Sequence, residues 1–354
     1  MKILFAFDNP EFALNPYVNT LITGLKKIDK SLDIHSSIVE FWNTAIRYDI
    51  IHIMWPDMLL KANGKKKFNA IELENRIREL KNNGSCIVST CHNLGPHYNS
   101  DKDYILAYNF VYKNSSIIFH LGEYSLNLFN KKYPASQNVY VPHHIYDTIY
   151  TRIPSHSEAQ KKLHLSSKNQ YILCFGMFRS DDERNMIIEL SKKLKGKNIK
   201  ILAPTFSYVA KRKNMFAEFT RLIKYIKYSI KYPNIIKRIG LVSNEMLPYF
   251  CKSCDIALIQ RTQILNSGNL PLNFYFGNVV IGPNVGNVGA ILQEMHNPTF
   301  DINDINASLY SAVMKGLQLV QLNMGEENKK YALNHFSTDT ICNKLLTYYN
   351  EITK

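Results

Sequence analysis

Short apolar runs alternate with segments of helical periodicity, and this alternation constrains the fold more than any other feature. The strand-like runs are KILFAF, DIIHIMW, SCIVST, SSIIFHL and NVYVP, then QYILCFG, IKILAP, IIKRIGLV, DIALIQ and NVVIGP. Helical patterns in the first half cover Pro16 to Lys27, Ala70 to Leu80, Asp103 to Tyr112 and Tyr124 to Lys132. Strands separated by helices form parallel sheets with helices on both faces. The sequence therefore predicts an α/β fold.

The two series of strands predict two domains. At 354 residues the chain exceeds the size at which a single core usually stops growing. A polar stretch without strand pattern separates the series. We predict a Rossmann-like domain over 1–150, a linker over 151–168 and a second Rossmann-like domain over 169–354, whose C-terminal helices pack back toward the first. Such doubly wound domains are expected to face a shared cleft, with ligands beyond the carboxyl ends of the strands.

The formal net charge of +14 is concentrated between residues 211 and 238, which hold nine Lys or Arg and one acidic residue, Glu218. Apolar residues fall at helical spacing within this segment: Phe219, Leu222, Ile223, Ile226 and Ile230. A basic amphipathic helix is typical of an anionic membrane surface. A surface helix with a solvated basic face is the alternative. Nucleic-acid binding is not expected, because no nucleic-acid module accompanies the charge.

Cysteine usage and hydropathy favour a cytoplasmic protein. The six cysteines lie mostly inside apolar runs, which suits reduced, buried thiols. The apolar run at the N-terminus ends at Asp8 and is too short for a signal-peptide core. No segment approaches the ~18 apolar residues of a membrane span.

The residues after the predicted strands differ between the halves. In the first half, histidine and proline recur in HIMWPD, TCHNLGPH and VPHHIY. In the second half, FGMFRSDDERN, QRTQILNSGNL and GPNVGNVG supply Gly, Asn and Ser, with Arg179, Arg184 and Arg261. Glycine-rich turns that open helices bind anions through backbone N–H groups, and arginines add charge-assisted bonds. Neither a dinucleotide fingerprint nor a P-loop motif occurs.

Several of these motifs, taken in order, resemble GT-B glycosyltransferases, and most closely the bacterial family-4-like enzymes of surface polysaccharide synthesis. They are Asn15-Pro16-Tyr17, HIMWPD, HNLGPH, PHHIY and SGNLPLNFYFGNVVIGPNVG. The resemblance extends from Met1 to about Ser337. It implies a nucleotide-sugar donor on the C-terminal domain and an acceptor, often a lipid-linked saccharide, on the N-terminal domain. No cofactor or metal is expected, because such enzymes stabilise the leaving diphosphate with helix dipoles and basic groups.

The resemblance also implies a set of binding residues. Gly176 opens the first donor loop, Arg184 takes the place of the diphosphate-binding basic residue, and the backbone of 239–242, with Gly240, holds the base. The predicted donor-binding residues are Gly176, Arg179, Arg184, Gly240, Arg261, Asn266, Ser267, Gly268, Asn269 and Asn273. The predicted acceptor-binding residues are Asn15, Tyr17, Trp55 and His143.

The sequence departs from family 4 in its carboxylates. The family carries two glutamates around the segment that corresponds to GNVVIGP, but no acidic residue lies between Asp255 and Glu294 here. Asn273 is the neutral candidate to contact the ribose. Retention or inversion at the anomeric carbon stays open.

His92 is the first candidate for the catalytic group. An inverting transfer needs a base with a pKa near neutrality to take the acceptor proton, whereas a retaining transfer needs a hydrogen-bond partner for the sugar. His97 and the Asp57 carboxylate are the other candidates. Each has a structural alternative: strand-end capping for His92, loop anchoring for His97 and a turn cap for Asp57.

A metal site is not expected. Cys91 alternates with His92 along the strand and would point to the other face. Cys251 and Cys254 lack a second pair at zinc spacing. Four aspartates lie near the predicted starts of helices, where the helix dipole stabilises a carboxylate: Asp101, Asp103, Asp181 and Asp182.

The sequence thus predicts a peripheral membrane glycosyltransferase that adds a sugar to a growing surface glycan. A nucleotide-sugar epimerase of the same fold is the enzymatic alternative, but the acid-free stretch 256–293 weighs against its acid–base chemistry. A non-enzymatic protein that binds anionic lipid or nucleic acid through 211–238 is the third possibility.

Overall fold

The computed structural model describes residues 1–13, 15–62, 65–96, 101–206, 215–238 and 241–354. These residues form two compact units. The first contains Met1–Ile149 and His335–Lys354, and the second contains Tyr150–Asn334. The C-terminal segment therefore belongs to the compact unit of the N-terminal residues.

The first unit is a parallel sheet of six strands in the order β2-β1-β3-β6-β7-β8. These strands are β1 (Lys2–Phe5), β2 (Asp33–Ser36), β3 (Ile50–Ile53), β6 (Cys86–Cys91), β7 (Ile117–His120) and β8 (Gln137–Tyr140). A two-stranded antiparallel hairpin, β4 (Lys61–Ala62) and β5 (Lys65–Lys66), follows β3. The helices are α1 (Tyr17–Ile28), α2 (Ile38–Asn43), α3 (Pro56–Leu59), α4 (Ala70–Asn82), α5 (Lys102–Asn114), α6 (Glu123–Lys132) and α15 (Thr338–Thr353), with a 3-10 turn at Pro10–Phe12.

The second unit is also a parallel sheet of six strands, in the order β11-β10-β9-β12-β13-β14. Its strands are β9 (Gln170–Leu173), β10 (Ile199–Leu202), β11 (Ile235–Ile236), β12 (Ile256–Leu258), β13 (Val279–Pro283) and β14 (Thr299–Phe300). The helices that begin in this unit are α7 (His156–Lys162), α8 (Asp181–Lys193), α9 (Met215–Lys231), α10 (Leu247–Ser253), α11 (Asn269–Tyr275), α12 (Gly286–Glu294), α13 (Ile305–Gln321) and α14 (Met324–Phe336).

The doubly wound α/β architecture predicted from the apolar runs is confirmed, with differences at the sheet edges. The runs of the central strands form as expected, because they are buried on both faces. The edge strands β2 and β14 were not predicted, since three of the four residues of DIHS are polar and TF has only two residues. The run IIKRIGLV contributes only the two residues of β11. Helix α7 lies within the predicted linker 151–168 and packs against α10.

Strand order places one switch point in each sheet. In the first sheet the order reverses between β1 and β3, and in the second between β9 and β12. The connections on the two sides of a switch point leave toward opposite faces of the sheet, which opens a crevice at the carboxyl ends of the strands. The segments after these four strands are therefore where ligand-binding residues are expected.

Helix α15 is held to the first unit by close packing and buried hydrogen bonds. It packs along α1, where Gly24 allows the approach: a Cβ at this position would lie 2.6 Å from Cys342 Sγ. The Tyr349 hydroxyl contacts His52 Nδ1, and His52 Nε2 contacts the Thr90 hydroxyl at 2.8 Å. These contacts tie the C-terminal helix to β3 and β6.

We expect the substitution Gly24→Ala to destabilise the protein, because the added methyl group overlaps Cys342 Sγ. Overpacking of this kind costs about 1–3 kcal/mol in the free energy of unfolding. Urea unfolding followed by circular dichroism measures it. Gly95→Ala is the matched control, since no atom of the described residues, apart from its chain neighbours, lies within 4 Å of a Cβ there. Equal stability of the two variants would contradict the close packing of α15 on α1.

Candidate functional site

The carboxyl ends of the strands in the first unit bring rings from four segments together. These rings are the histidine–aromatic cluster: Tyr17, Trp55, His92, His143 and His144. The Trp55 and His92 rings stack at 4.3 Å between centroids, and Tyr17 meets His92 edge-on at 4.8 Å. Tyr17 also lies 4.7 Å from both His143 and His144. The predicted residues Tyr17, Trp55, His92 and His143 therefore share one site.

Hydrogen bonds from the loop residues fix this cluster. Asn15 Oδ1 accepts from the Tyr17 backbone N–H at 3.2 Å and from the Tyr146 hydroxyl at 3.0 Å. His143 Nδ1 donates to the carbonyl oxygen of His144, and His144 Nε2 donates to that of Tyr17. A carbonyl oxygen only accepts, so both ring tautomers are set. His144 and Tyr146 were not among the predicted site residues, although His144 follows His143 directly.

Burial keeps these imidazoles uncharged. The pKa of His92 is lowered well below its ordinary value by burial and by the neighbouring His143 and His52. Burial lowers the pKa of His143 to about 4 and that of His144 well below the ordinary value. In this environment the pKa of His92 lies below the near-neutral value that suits a catalytic base. A neutral His92 is suited to hydrogen bonding with a hydroxyl group, and it is a weak base.

Of the other two catalytic candidates, only Asp57 lies among the described residues, and its carboxylate is used in contacts with other elements. The Asp57 carboxylate accepts from the Tyr108 hydroxyl at 2.9 Å and pairs with Lys61 at 3.3 Å. It therefore links α3 to α5 and to the hairpin. His97 lies outside the described residues.

The switch point of the second sheet gathers the loops after β9, β10 and β12. Gly176 has a φ of +97°, which favours glycine, and a Cβ there would lie 3.3 Å from Asn269 Nδ2. Asn269 Nδ2 donates to the Phe175 carbonyl at 2.9 Å, and the Thr205 hydroxyl donates to that of Gly176. Gly176 and Asn269, both predicted to bind the donor, thus lie side by side.

Arg261 forms a buried ion pair instead of facing a ligand. Its guanidinium donates to Glu183 Oε2 and to the Met177 carbonyl, each at 2.7 Å, and the side chains of Arg261 and Glu183 are 9% and 4% exposed. The same carboxylate accepts from the Arg179 backbone N–H at 2.6 Å. The pair thereby fixes the loop after β9. Glu183 was not a predicted site residue, although Ser180 three positions earlier marks it as part of a helix cap.

The other predicted cations differ in exposure. Arg184 donates to the carbonyls of Ser180 and Phe206 at 3.1 and 3.3 Å, so it connects the loops after β9 and β10. Arg179 is exposed at the start of α8. The described structure therefore presents Arg179 to solvent, whereas Arg184 and Arg261 hold loops.

The segment before α11 combines partly exposed and buried groups. Ser267 and Gly268 are partly exposed, and Asn266 Oδ1 accepts from Asn287 Nδ2 at 2.7 Å. Asn273 is only 2% exposed and bonds to the Asn269 carbonyl and to Asn278. Its amide is therefore used within the domain, and its predicted contact with the ribose stays a prediction. Gly240, the predicted contact to the base, lies outside the described residues.

No group of three or more His, Cys, Asp or Glu side chains in the described part of the chain could hold a metal ion. None of the six cysteines, all of which are described, forms a disulfide bond, and five of them are buried. The predicted metal independence of the reaction stays a prediction.

Known structures share the whole fold. Sucrose-phosphate synthase from Thermosynechococcus elongatus matches with a TM-score of 0.73 at 12% identity, over 99% of this chain and 98% of that one. Anabaena HepE in complex with UDP and glucose matches with a TM-score of 0.69 at 12% identity, over 99% and 100%. A putative UDP-N-acetylglucosamine 2-epimerase from Listeria monocytogenes gives 0.60 at 10% identity, over 99% and 97%.

These similarities confirm the predicted GT-B fold of two Rossmann-like domains. Neither a family model nor a curated protein sequence matches the chain. At identities of 10–12%, the comparison establishes the fold alone.

We expect Arg261→Met to destabilise the protein by about 3–5 kcal/mol, because it leaves the buried Glu183 carboxylate without its counter-charge. The double variant Arg261→Met/Glu183→Met should recover part of this loss. Urea unfolding of both single variants and the double variant gives the coupling energy.

Lys192→Met is the matched control for this cycle. It breaks an ion pair with Glu189 in which both side chains are about half exposed, so the expected loss is about 1 kcal/mol or less. A similar small loss for Arg261→Met would contradict the structural role of the buried pair.

The buried histidines predict loss of stability in mild acid. Between pH 6.5 and about 4, an unfolded chain protonates His143 whereas the folded chain does not, so the free energy of unfolding falls as the pH falls. His143 alone should contribute about 1 kcal/mol between pH 7.5 and 5.5. Thermal unfolding across this range measures the slope. The dependence of the free energy of unfolding on pH should be weaker in His143→Gln than in the wild type. It should be unchanged in the exposed control His335→Gln. Equal dependence in the two variants would contradict the burial of His143.

Proposed function

We propose that this protein is a glycosyltransferase that moves a sugar, expected to be a hexose, from a nucleotide diphosphate donor to a hydroxyl group of a saccharide acceptor. The observation that carries the proposal is the gathering of predicted residues at the strand ends of both sheets. The histidine–aromatic cluster occupies the first unit, and Gly176 and Asn269 meet in the second. The shared fold with HepE, which is described in complex with UDP and glucose, supports a nucleotide-sugar substrate.

The second unit is the proposed donor site. Gly176 lacks a side chain where the loop after β9 passes Asn269, so a diphosphate can approach the backbone there. Ser267 and Gly268, both partly exposed, are the proposed partners on the other side of the switch point. Arg184 and Arg261 act by holding the loops, and exposed Arg179 supplies a cation at the rim. Backbone N–H groups and cations stabilise a leaving diphosphate without a metal ion.

The first unit is the proposed acceptor site. Aromatic faces bind the apolar face of a sugar ring, and neutral imidazoles exchange hydrogen bonds with its hydroxyl groups. Trp55 and Tyr17 provide the rings, and His92 between them provides the polar atoms. His92 is the proposed contact to the reacting hydroxyl, as a hydrogen-bond partner in its uncharged form. His143 and Asn15 complete the acceptor side.

The acceptor proposed from the family resemblance is a lipid-linked saccharide, and the product a bacterial surface polysaccharide such as a capsule. This places the enzyme at the cytoplasmic face of the membrane as a peripheral protein. The basic segment 211–238 supports this location.

An epimerase acting on a nucleotide-sugar is the second candidate, favoured by the fold shared with the putative Listeria epimerase. Its acid–base steps at the sugar need ionisable groups beside the donor. The stretch 256–293 has no carboxylate, and Glu183 is paired with Arg261. Product analysis separates the two functions: an epimerase converts the nucleotide-sugar without an acceptor, whereas a transferase releases nucleoside diphosphate only in proportion to the glycan formed.

The test begins with calorimetry of the full chain against UDP, GDP, dTDP and CMP and continues with the matching nucleotide-sugars and saccharide acceptors. His92→Gln should lower turnover at least about 100-fold, because the acceptor hydroxyl loses its imidazole partner. Nucleotide affinity should stay within about twofold of the wild type, because His92 belongs to the other unit.

The exposed His335→Gln variant is the matched control for this test and should retain full turnover. Unchanged turnover in His92→Gln would exclude the proposed role of His92. Failure of every nucleotide to bind would exclude the proposed function altogether.

A further inference from the structure

Among its described side chains, helix α9 packs on the second unit through one face. Tyr228 and Tyr232 lie against the hydrophobic core of the unit, and the Tyr228 ring meets Phe206 at 5.4 Å between centroids. Lys237 Nζ donates to the Tyr228 carbonyl at 3.1 Å and to the Ile235 carbonyl at 2.8 Å. The C-terminal part of the helix is thereby anchored.

The opposite face of α9 is apolar and exposed. Five large side chains share it, and each is between 42% and 79% exposed: Phe219, Leu222, Ile223, Ile226 and Ile230. Successive helix residues rotate by about 100°, which places Phe219 and Ile226 roughly 160–180° from Tyr228. A surface helix normally turns its apolar face toward the core. Here a second apolar face points away from it, and contiguous apolar surface of this kind marks an interaction site.

The charges around this apolar face specify its partner. Lys227 and Lys231 are exposed beside it, and segment 211–238 holds nine basic residues against one acidic residue. The rings of Tyr225 and Tyr232 are partly exposed on the same helix and just after it. Apolar side chains flanked by lysines and tyrosines match the boundary between acyl chains and anionic headgroups. A protein groove would match the apolar residues but would not require this excess of positive charge.

We infer that α9 lies flat on an anionic phospholipid bilayer, with its exposed apolar face between the headgroups and its lysines at the lipid phosphates. No helix among the described residues is long and apolar enough to cross a membrane. The contact inferred for α9 is surface binding by an amphipathic helix. The inference rests on the membrane location given in the proposed function and assigns it to one helix face. Because α9 lies outside both proposed substrate sites, vesicle binding can fail while nucleotide binding and sugar transfer persist.

Sedimentation of the full chain with vesicles tests the inference. Vesicles of equimolar phosphatidylglycerol and phosphatidylcholine should bind the protein, and vesicles of phosphatidylcholine alone should bind it weakly. The double variant Ile226→Ser/Ile230→Ser should bind the anionic vesicles at least about tenfold less, because two apolar side chains no longer enter the bilayer. Lys227→Gln/Lys231→Gln should bind less and lose part of its salt dependence.

Ile71→Ser is the matched control, because Ile71 is 64% exposed on α4 in the first unit. It should bind the vesicles as the wild type does. Thermal unfolding and nucleotide affinity, unchanged in all variants, would show that folding and the donor site are intact. Equal binding to both vesicle types, or full binding by the Ile226→Ser/Ile230→Ser variant, would overturn the inference. So would a wild-type dimer in analytical ultracentrifugation that this variant dissociates, since the apolar face would then belong to a second copy.

Discussion

The parallel direction of all strands within each six-stranded sheet is the constraint on which the rest of the structure depends. Parallel strands need helical crossovers, and these helices cover both faces of the sheet. Polar side chains that can bind ligands are therefore found at the carboxyl ends of the strands. At a switch point the crossovers diverge, and residues distant in sequence become neighbours. Gly176 and Asn269 in the second unit, and Tyr17 and Trp55 in the first, are neighbours for this reason.

Burial then decides what each side chain at these edges can do. An arginine at a strand end is a natural ligand for phosphate, yet Arg261 is enclosed with Glu183 and a loop carbonyl. A buried charge requires a counter-charge, so this guanidinium stabilises the loop that a diphosphate would approach. The His92 ring is also enclosed, by Trp55 and Tyr17. It avoids a buried charge by remaining uncharged, because burial lowers its pKa.

The sequence predicted most of the fold, because apolar periodicity is a local property. Helix α1 begins one residue after its predicted start, and α4 begins at its predicted residue. The edge strands β2 and β14 were missed because an edge needs little apolar sequence. At the candidate sites, strand-end motifs identified Tyr17, Trp55 and His92 as neighbours. The buried amide of Asn273 depends on Asn278 and on the packing of several elements, which no local pattern records.

The charge of the histidine–aromatic cluster limits the ligand that it can hold. Its surfaces are aromatic rings and imidazoles kept neutral by burial. An anionic group placed against them would lose its water and find no cation within the cluster, at a cost of several kcal/mol. A sugar ring would have no such penalty, because its hydroxyl groups would exchange hydrogen bonds with the imidazoles and its apolar face would lie on Trp55 in the proposed acceptor site. If the acceptor carries a phosphate to a lipid, that phosphate must therefore lie outside the cluster. In the inferred membrane contact, the exposed Lys227 and Lys231 of α9 would pair with lipid phosphates, so holding a sugar and holding a membrane would fall to different residues.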